Sequence, residues 1–388
     1  MRRRLAGLLA PALLTAFLSG CQTVGNTYDR FFGPQPKQKP AELPALRPSI
    51  TPKVLWQGNV GSADRNVFSP GAAGSVVYAL GAGGQLTGFD ATTGRDVMRL
   101  DIGQRVSGGV GAGASMVLIG TAKGEVLAFD TSGKLLWKVQ LSGEVLAPPR
   151  VAEGVVVARA GDGRIYGLNA ADGKRRWLYQ RATPALSVRS HAGVTLQGGM
   201  VFAGFPGGRL AAIGLAGGNV AWEATVALPR GTTELERVSD VASLPLVDDQ
   251  RACAVAFQGR VACFDAKNGS GIWARGLSSL KGMSTDGRNF YVTDDNNAIV
   301  ALDKTNGASL WKQDRLAGRS VSGSLVFGRF VVVGDFEGYV HFLQRDDGSF
   351  AGRIATDGSP IMSAPVALDL SSFAVQTRNG GIFAITVQ

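Results

Sequence analysis

Histidine and cysteine are scarce in this chain of 388 residues, which has two histidines and three cysteines. His191 is predicted to lie in a loop and His341 in a strand, far apart in sequence. An imidazole metal cluster or a paired-histidine mechanism is therefore not expected, and the C-x-x-C spacing of structural zinc sites is absent. No stretch places a nucleophile beside a general base, although the members of a catalytic triad need not be neighbours in sequence.

Clusters of like charge are also lacking. The formal net charge is +10, and removing the three arginines of a predicted signal peptide, Arg2, Arg3 and Arg4, lowers it to +7. Because the basic residues are scattered, we expect no nucleic-acid partner. Three pairs of acidic residues fall at predicted turns, where aspartate is favoured for local hydrogen bonding. We therefore assign neither metal binding nor catalysis to Asp248–Asp249, Asp294–Asp295 or Asp346–Asp347.

The first 20 residues have the pattern of a secretory signal. Three arginines precede the apolar run Leu5–Leu18, which Pro11 interrupts and which is too short for a convincing membrane span. The run ends in Leu18-Ser19-Gly20-Cys21, which resembles the lipobox of bacterial lipoproteins. The resemblance implies that residues 1–20 are removed and that Cys21 is lipidated; a plain secretory signal is the alternative.

Residues 21–52 are predicted to form a tether that follows the lipidated cysteine. They have little periodic hydrophobicity and carry regularly spaced prolines at Pro34, Pro36, Pro40, Pro44, Pro48 and Pro52. In polyproline form such a segment reaches about 90 Å, at about 3 Å per residue. Gln22, rather than Asp, follows the cysteine, and in such lipoproteins this implies the periplasmic face of the outer membrane.

A repeat of roughly 40 residues organises the remainder of the chain. One copy, Ile299–Trp311, reads as a short apolar strand, a turn with an acid and a glycine, and an outgoing strand that ends in tryptophan. The position of Asp303 recurs at Asp90, Asp130, Asn169, Gly214, Asp265, Asp303, Gln344 and Thr386. Since this period is that of one propeller blade, we predict an all-β fold over residues 53–388, an eight-bladed β-propeller of four-stranded antiparallel blades.

Glycine and tryptophan hold fixed places in the repeat. The outgoing strand ends at Trp137, Trp177, Trp222, Trp273 and Trp311, with Met98 and Gly352 as the lapsed copies. Each tryptophan is expected to bury its ring between adjacent sheets. Six residues before the Asp position, a glycine or, once, Asn297 marks a predicted inner hairpin turn.

The last repeat is incomplete. Gly381–Ile385 supplies an inner strand without an outgoing one, whereas Lys53–Trp56 is an outgoing strand without a repeat of its own. We therefore expect this N-terminal strand to complete the last blade, which leaves no open sheet edge between the first and last blades.

Cys253 and Cys263 flank one predicted hairpin turn and face an oxidising compartment, so a disulfide between them is possible. The alternative is two small buried residues, since Cys263 aligns with alanine in other blades.

The fourth and fifth repeats are the longest. Their extra residues precede the second strand of blades 4 and 5, in the connections after Trp177 and Trp222. Both insertions are expected on one sector of one rim, where residues that no blade needs are candidates for binding. The alternatives are a longer loop without function, or a packing in which Leu186 and Val188 face the core.

The A-x-D-x-x-x-G-x-x-x-W pattern, as in Ala301–Trp311, resembles the docking motif of pyrroloquinoline quinone (PQQ) dehydrogenases, which are also eight-bladed propellers. That resemblance implies a PQQ-dependent oxidoreductase. Those enzymes are longer and commonly have an adjacent cysteine pair against the quinone, with acidic residues and calcium nearby. Cys253 and Cys263 are not adjacent, so we expect no cofactor and read the pattern as architecture.

The closer resemblance, over essentially the whole mature chain, is to the BamB family of lipoproteins of the outer-membrane β-barrel assembly machinery. It rests on the lipobox, the proline-rich tether, Val54–Trp56, the eight blades, and the segments Leu186–Arg189 and Glu236–Val241. It implies a non-enzymatic scaffold that docks on the periplasmic domains of the barrel-assembly protein BamA and meets nascent barrel proteins. A PQQ-dependent oxidoreductase and a small-ligand-sensing propeller are the alternatives.

Four residues carry the docking contact that this resemblance implies. Leu186, Val188 and Arg189 match the L-S-[LV]-R pattern of the family, and Asp240 matches the first acid of S-D-V-D. Ala242 stands where many relatives have the second acid. We expect Leu186, Val188, Arg189 and Asp240 to form one docking patch on the rim of blades 4 and 5.

The lipobox yields a direct prediction. Cys21→Ala removes the thiol that would receive the lipid, so the variant should remain uncleaved or leave the membrane fraction. Fractionation and mass spectrometry of the native protein and the variant check this. Recovery of the native protein unmodified and soluble in the periplasm would contradict the assignment.

Overall fold

A ring of eight four-stranded antiparallel sheets makes up the fold in the computed structural model, which describes residues 39–387. The first strand of each blade lies beside the first strand of the next, around the centre of the ring. No helix occurs in these residues, so none of them forms a helix able to cross a membrane. The predicted fold class, an eight-bladed β-propeller, is confirmed.

The strands of the first four blades follow the repeat. Blade 1 contains β2 (Gly71–Ala73), β3 (Val76–Leu80), β4 (Gln85–Asp90) and β5 (Asp96–Asp101). Blade 2 contains β6 (Val106–Gly113), β7 (Met116–Thr121), β8 (Glu125–Asp130) and β9 (Leu135–Gln140). Blade 3 contains β10 (Arg150–Ala152), β11 (Val155–Arg159), β12 (Ile165–Asn169) and β13 (Arg175–Tyr179). Blade 4 contains β14 (Thr195–Gln197), β15 (Met200–Phe205), β16 (Arg209–Gly214) and β17 (Val220–Thr225).

The remaining blades continue the pattern, and the last one takes a strand from the other end of the chain. Blade 5 contains β18 (Leu246–Val247), β19 (Arg251–Val255), β20 (Arg260–Asp265) and β21 (Gly271–Gly276). Blade 6 contains β22 (Met283–Thr285), β23 (Asn289–Thr293), β24 (Ile299–Asp303) and β25 (Ser309–Gln313). Blade 7 contains β26 (Leu325–Phe327), β27 (Phe330–Gly334), β28 (Tyr339–Gln344) and β29 (Phe350–Ala355). Blade 8 contains β30 (Val366–Ala367), β31 (Ser372–Gln376), β32 (Gly381–Val387) and β1 (Pro52–Asn59).

The closure of the ring is the predicted one. β1 pairs antiparallel with β32 along its length, with Trp56 opposite Ala384. Since β1 is the outer strand of blade 8, neither terminus leaves an unpaired edge between blades 8 and 1.

Where the repeat has both its acid and its glycine, these two residues shape the turn after the third strand. In blade 6 the Asp303 carboxylate accepts hydrogen bonds from the N–H groups of Thr305 and Asn306 at 2.7 and 3.1 Å. Gly307 then donates its N–H to the Asp303 carbonyl and has a φ of 74°, which glycine adopts without strain. The turn returns the chain as β25, and Trp311 packs from this strand toward blade 7.

Each tryptophan of the repeat locks its blade to the next one. The indole Nε1 donates to a carbonyl oxygen just past the Asp position of the following blade at 2.8–3.0 Å, in the pairs Trp56–Ala91, Trp137–Ala170, Trp177–Leu215, Trp222–Ala266, Trp273–Lys304 and Trp311–Arg345. The ring covers the turn glycine so closely that a Cβ at Gly307 would lie 2.6 Å from Trp273. These positions therefore admit only glycine, and six of the eight seams share this lock.

Two seams lack the tryptophan, and each is filled differently. After blade 1, Met98 packs its sulfur near the turn at Gly133. After blade 7, Gly352 replaces the tryptophan, and a Cβ there would lie 2.6 Å from Ile50. Blade 8 has no turn for an indole to cover, because its fourth strand comes from the N-terminal part of the chain. Ile50, buried with Phe342 and other residues of blades 7 and 8, fills this seam instead.

Residues 41–50, which we call the strap, pack against blade 7. Ser49 donates its N–H to the Ala351 carbonyl at 2.8 Å, and Ala41 donates to the Ala317 carbonyl at 2.9 Å. Arg319 returns a hydrogen bond from Nη1 to the Ala41 carbonyl at 3.0 Å. The predicted tether over residues 21–52 is therefore wrong from Ala41 onward, because polar and apolar contacts fix this part to the ring. The predicted signal peptide, Cys21 and the tether up to residue 38 lie outside the described residues.

The base of the strap is a buried charged group in blade 7. Arg319, 3% exposed, donates from Nε to Asp335 at 2.8 Å and pairs with Glu337. His341 places Nε2 3.0 Å from the same Asp335 carboxylate. A buried guanidinium needs hydrogen-bond acceptors, and the Ala41 carbonyl of the strap supplies Arg319 with one in addition to the two carboxylates.

Cys253 and Cys263 lie directly opposite each other on β19 and β20, and their sulfurs form a disulfide. Both residues are buried in the core between blades 5 and 6.

The strap makes a prediction about stability. Ile50→Ala should lower the free energy of unfolding by about 2–5 kcal/mol, because it empties the apolar site over Gly352. Urea unfolding followed by tryptophan fluorescence measures this, with Leu370→Ala as the control, since Leu370 is fully exposed. Equal midpoints for Ile50→Ala and Leu370→Ala would show that the strap does not support the seam.

Candidate functional site: a rim cleft between blades 3 and 5

Two long connections crowd one sector of one rim. Residues 180–194, the blade 4 insertion, join β13 to β14, and residues 226–245, the blade 5 insertion, join β17 to β18. They contain the four residues predicted for docking, Leu186, Val188, Arg189 and Asp240. All four lie outside strands, so the alternative in which Leu186 and Val188 enter the core through a strand does not apply.

Asp240 fastens the two insertions to each other and to blade 4. Its Oδ2 accepts the Val188 N–H at 2.6 Å and its Oδ1 accepts the Gly207 N–H at 3.0 Å. Ser190 adds a second link by donating Oγ–H to the Ala242 carbonyl at 3.1 Å. Because Asp240 is only 3% exposed, it acts as an internal clamp and does not present its carboxylate to a partner.

Arg189 is braced by Glu144, from the connection before blade 3. Its Nε and Nη2 donate to the two carboxylate oxygens of Glu144 at 3.1 and 2.8 Å. This paired hydrogen bond lowers the pKa of Glu144 and raises the pKa of Arg189. Arg189 is therefore braced by Glu144 and not by Asp240. Sequence spacing gave no sign of Glu144, because its connection is not an insertion.

Apolar side chains are exposed around these charges. Leu186 is 44% exposed, while Val188 is half-buried beside the clamp. The blade 5 insertion exposes three further leucines, Leu228, Leu235 and Leu244. Four exposed leucines therefore lie in the two insertions.

Between blades 3 and 5 these segments enclose a cleft of about 390 Å³, which we call the rim cleft. It lies against Val188, Arg189 and Asp240, and Arg159 from the end of β11 reaches its wall. Burial lowers the pKa of Arg159 to about 10, and the negative charge of Asp240 partly opposes this shift. Its guanidinium stacks 5.3 Å from the centre of the Phe205 ring.

Arg159 was missed in the sequence, although the repeat contains a signal for it. Arg159 on β11 pairs with Ile165 on β12, which lies four residues before the Asp position, Asn169. An equivalent pair exists in every blade. The seven equivalent residues are uncharged, namely Leu80, Gly120, Gly204, Val255, Thr293, Gly334 and Gln376. A charge at one of eight framework positions indicates a local role.

Within residues 39–387 no group of three His, Cys, Asp or Glu side chains is arranged to hold a metal ion. His191 lies in the blade 4 insertion, and burial together with the charge of Arg189 lowers its pKa. Its Nε2 is buried without a hydrogen-bond partner in the described part of the chain. His341 lies in β28 of blade 7, so the two imidazoles do not act together.

Eight blades and a tryptophan repeat define a propeller of the PQQ-like repeat class, and two long connections lie on one sector of its rim. A family model described as "Outer membrane protein assembly factor BamB" matches residues 82–313. A protein of that name from Nitrosomonas eutropha is 44% identical over 97% of this chain and 93% of its own length. The one from Bordetella pertussis is 40% identical, covering 98% and 95%. The chain belongs to the BamB family.

Solved structures support the fold. BamB from Moraxella catarrhalis superposes with a TM-score of 0.80 at 24% identity, covering 87% of this chain and all of that one. A quinohemoprotein alcohol dehydrogenase from Comamonas testosteroni gives 0.71 at 13% identity, covering 86% and 76%. At these identities the likeness concerns architecture alone, so the second match carries no argument for a quinone.

The clamp makes a prediction about order in the rim. Asp240→Ala leaves two backbone N–H groups without their acceptor, at a cost of about 1–3 kcal/mol for each group that stays buried. Hydrogen exchange at Val188 and Gly207 should therefore accelerate at least about tenfold, as amide exchange with mass spectrometry can show. Asp249→Ala, which removes an exposed acid elsewhere, is the control. Unchanged exchange in Asp240→Ala would mean that the insertions hold their shape without the clamp.

Proposed function

We propose that this protein is a non-enzymatic scaffold of outer-membrane protein assembly. In this proposal lipid on Cys21 holds it at the periplasmic face of the outer membrane. The rim of blades 4 and 5 docks on the periplasmic domains of BamA and so aids the insertion of β-barrel proteins. Membership of the BamB family supports a role in outer-membrane protein assembly. The structure of the rim supports docking on a partner protein as the way in which the protein acts.

The observation that carries the docking proposal is the state of Leu186 and Arg189. Both side chains are exposed, yet the backbone beneath them is held by the Asp240 clamp. A surface that is ordered before binding loses less conformational entropy on association. The rim is therefore prepared for a partner in a way that a long loop without function is not.

The contacts give each predicted residue a separate role. Leu186 is the apolar anchor, and Val188 supports it from a half-buried position. Arg189 makes no hydrogen bond other than those to Glu144 within the described residues, so its remaining N–H groups face outward for a partner acceptor. Asp240 contributes through the clamp and has no direct contact in this proposal.

A scaffold role also agrees with how the rest of the chain is used. The blades employ their apolar residues, turn glycines and indoles for packing between sheets. Among the described residues, the exposed leucines lie in outer strands and connections, where a partner or a nascent barrel protein can reach them. The relatives that cover nearly the whole chain are named as assembly factors, and none of those names refers to a reaction.

The test is binding to the isolated periplasmic domains of BamA. Leu186→Ala/Arg189→Ala should weaken binding by at least about tenfold, because interface energy is concentrated in few apolar and arginine anchors. Surface plasmon resonance measures the affinity, and the melting temperature of the variant is recorded beside it. Folding should survive, since neither side chain belongs to the core.

A matched control comes from the outer strand of blade 1. Val97→Ala/Arg99→Ala also removes an exposed apolar residue and an ion-paired arginine, but far from the insertions. It should bind like the native protein. If both double variants bind equally well, the docking surface lies elsewhere. If Leu186→Ala/Arg189→Ala loses binding and also unfolds at a much lower temperature, the residues serve packing.

A further inference from the structure

Arg159 is a cation at the rim cleft that has few hydrogen-bond acceptors around it. Its guanidinium makes one hydrogen bond in the described part of the chain, from Nη1 to the Ala192 carbonyl at 3.4 Å. Arg159 takes part in none of the ion pairs of residues 39–387, and Asp240 acts on it through its charge without a hydrogen bond. A guanidinium has five N–H donors, so most of its capacity remains for a group that enters the cleft.

The acidic residues around the cleft are already paired with donors other than Arg159. Glu144 pairs with Arg189, and Asp162 pairs with Arg164 at 2.9 Å. Asp240 accepts two backbone N–H groups. Since these three carboxylates have partners, an arriving acceptor does not have to displace an ion pair of Arg159.

Apolar side chains form part of the lining around this donor. The walls of the cleft include Leu146, Pro184, Val188 and Pro206. At about 390 Å³ the space is at the small end of ligand pockets, which span about 300–1,000 Å³. One or two side chains fit such a space, and a folded element does not.

We propose that the rim cleft is a subsite for the side-chain carboxylate of an acidic residue that stands next to an apolar residue in a partner protein. The carboxylate binds the Arg159 guanidinium, and the neighbouring apolar side chain packs on Val188 and Leu146. The planar fork of arginine matches a carboxylate with two parallel hydrogen bonds. The partly buried position, which lowers the pKa of Arg159 without neutralising it, strengthens the attraction.

This subsite deepens the proposed docking function and rests on it for the identity of the partner. It adds a specific requirement, namely that the docked surface supplies an acidic residue beside an apolar one. In this arrangement Arg189 and Leu186 contact the partner outside the cleft, whereas Arg159 binds one acidic side chain of the partner inside the cleft.

The chemistry is tested directly with two capped dipeptides, N-acetyl-Leu-Asp-amide and N-acetyl-Leu-Asn-amide, on the full mature chain. Saturation-transfer NMR gives the dissociation constant of each. We expect the aspartate peptide to bind at least about tenfold more tightly than the asparagine peptide, the difference that one charge-assisted pair provides. Arg159→Gln should abolish the preference, and Arg159→Lys should retain part of it, because lysine keeps the charge but lacks the fork.

Arg175→Gln is the matched control, since it removes one exposed arginine from β13 outside the cleft. It should bind both peptides like the native chain. Failure of the native chain to bind the aspartate peptide, equal affinity for the two peptides, or an unchanged preference in Arg159→Gln would each overturn the proposal. Competition by inorganic phosphate at equal affinity would also overturn it, because the site would then accept any anion.

The two proposals fail separately. Arg159→Gln is also measured on the periplasmic domains of BamA, beside Leu186→Ala/Arg189→Ala. If the double variant weakens docking and Arg159→Gln does not, the carboxylate subsite is wrong and the docking function stands. If the aspartate preference depends on Arg159 but neither variant affects docking, the docking function is wrong and the subsite stands.

Discussion

The contact of an indole with the next blade is the interaction on which the ring depends. It combines burial of a large ring, a hydrogen bond to a carbonyl that no strand uses, and a glycine that lets the ring approach. Each part fails without the others, because a Cβ would hold the ring away and an unpaired buried N–H is costly. Repetition of this contact at six seams explains why indoles and glycines recur while much of the remaining sequence varies between blades.

Such a framework separates stability from binding. The locks lie between blades, toward the outer strands, so the connections on the rim are not needed to hold neighbouring sheets together. The blade 4 and blade 5 insertions use this freedom and are organised by their own hydrogen bonds, Asp240 with Val188 and Ser190 with Ala242. A rim that is rigid in this way can carry exposed leucines and arginines without weakening the ring.

The features that follow from the repeat could be predicted from the sequence, whereas most side-chain contacts of the strap and the rim could not. The number of blades and the positions of the turns followed from the period of the repeat. The role of β1 followed as well, because the last repeat lacks an outgoing strand and β1 is an outgoing strand without a repeat of its own. The strap was misread as tether, since prolines and short apolar residues resemble a linker until Ile50 is seen over Gly352. Glu144 and Arg159 could not be placed, because their roles depend on which connections meet at the rim. The sequence does show, however, that Arg159 is charged at a strand position where the other seven blades have uncharged residues.

The strap and β1 have a consequence for the order of folding. Ser49 bonds to Ala351 across 302 residues of sequence, and β1 pairs with β32 at the far end of the chain. Contacts between such distant residues form slowly, because a long loop must close before they contribute. The residues that close the ring belong to the first part of the chain to be synthesised, and their partners to the last. Blades 1 to 7 can assemble progressively, whereas blade 8 stays incomplete until β30, β31 and β32 are present to pair with β1.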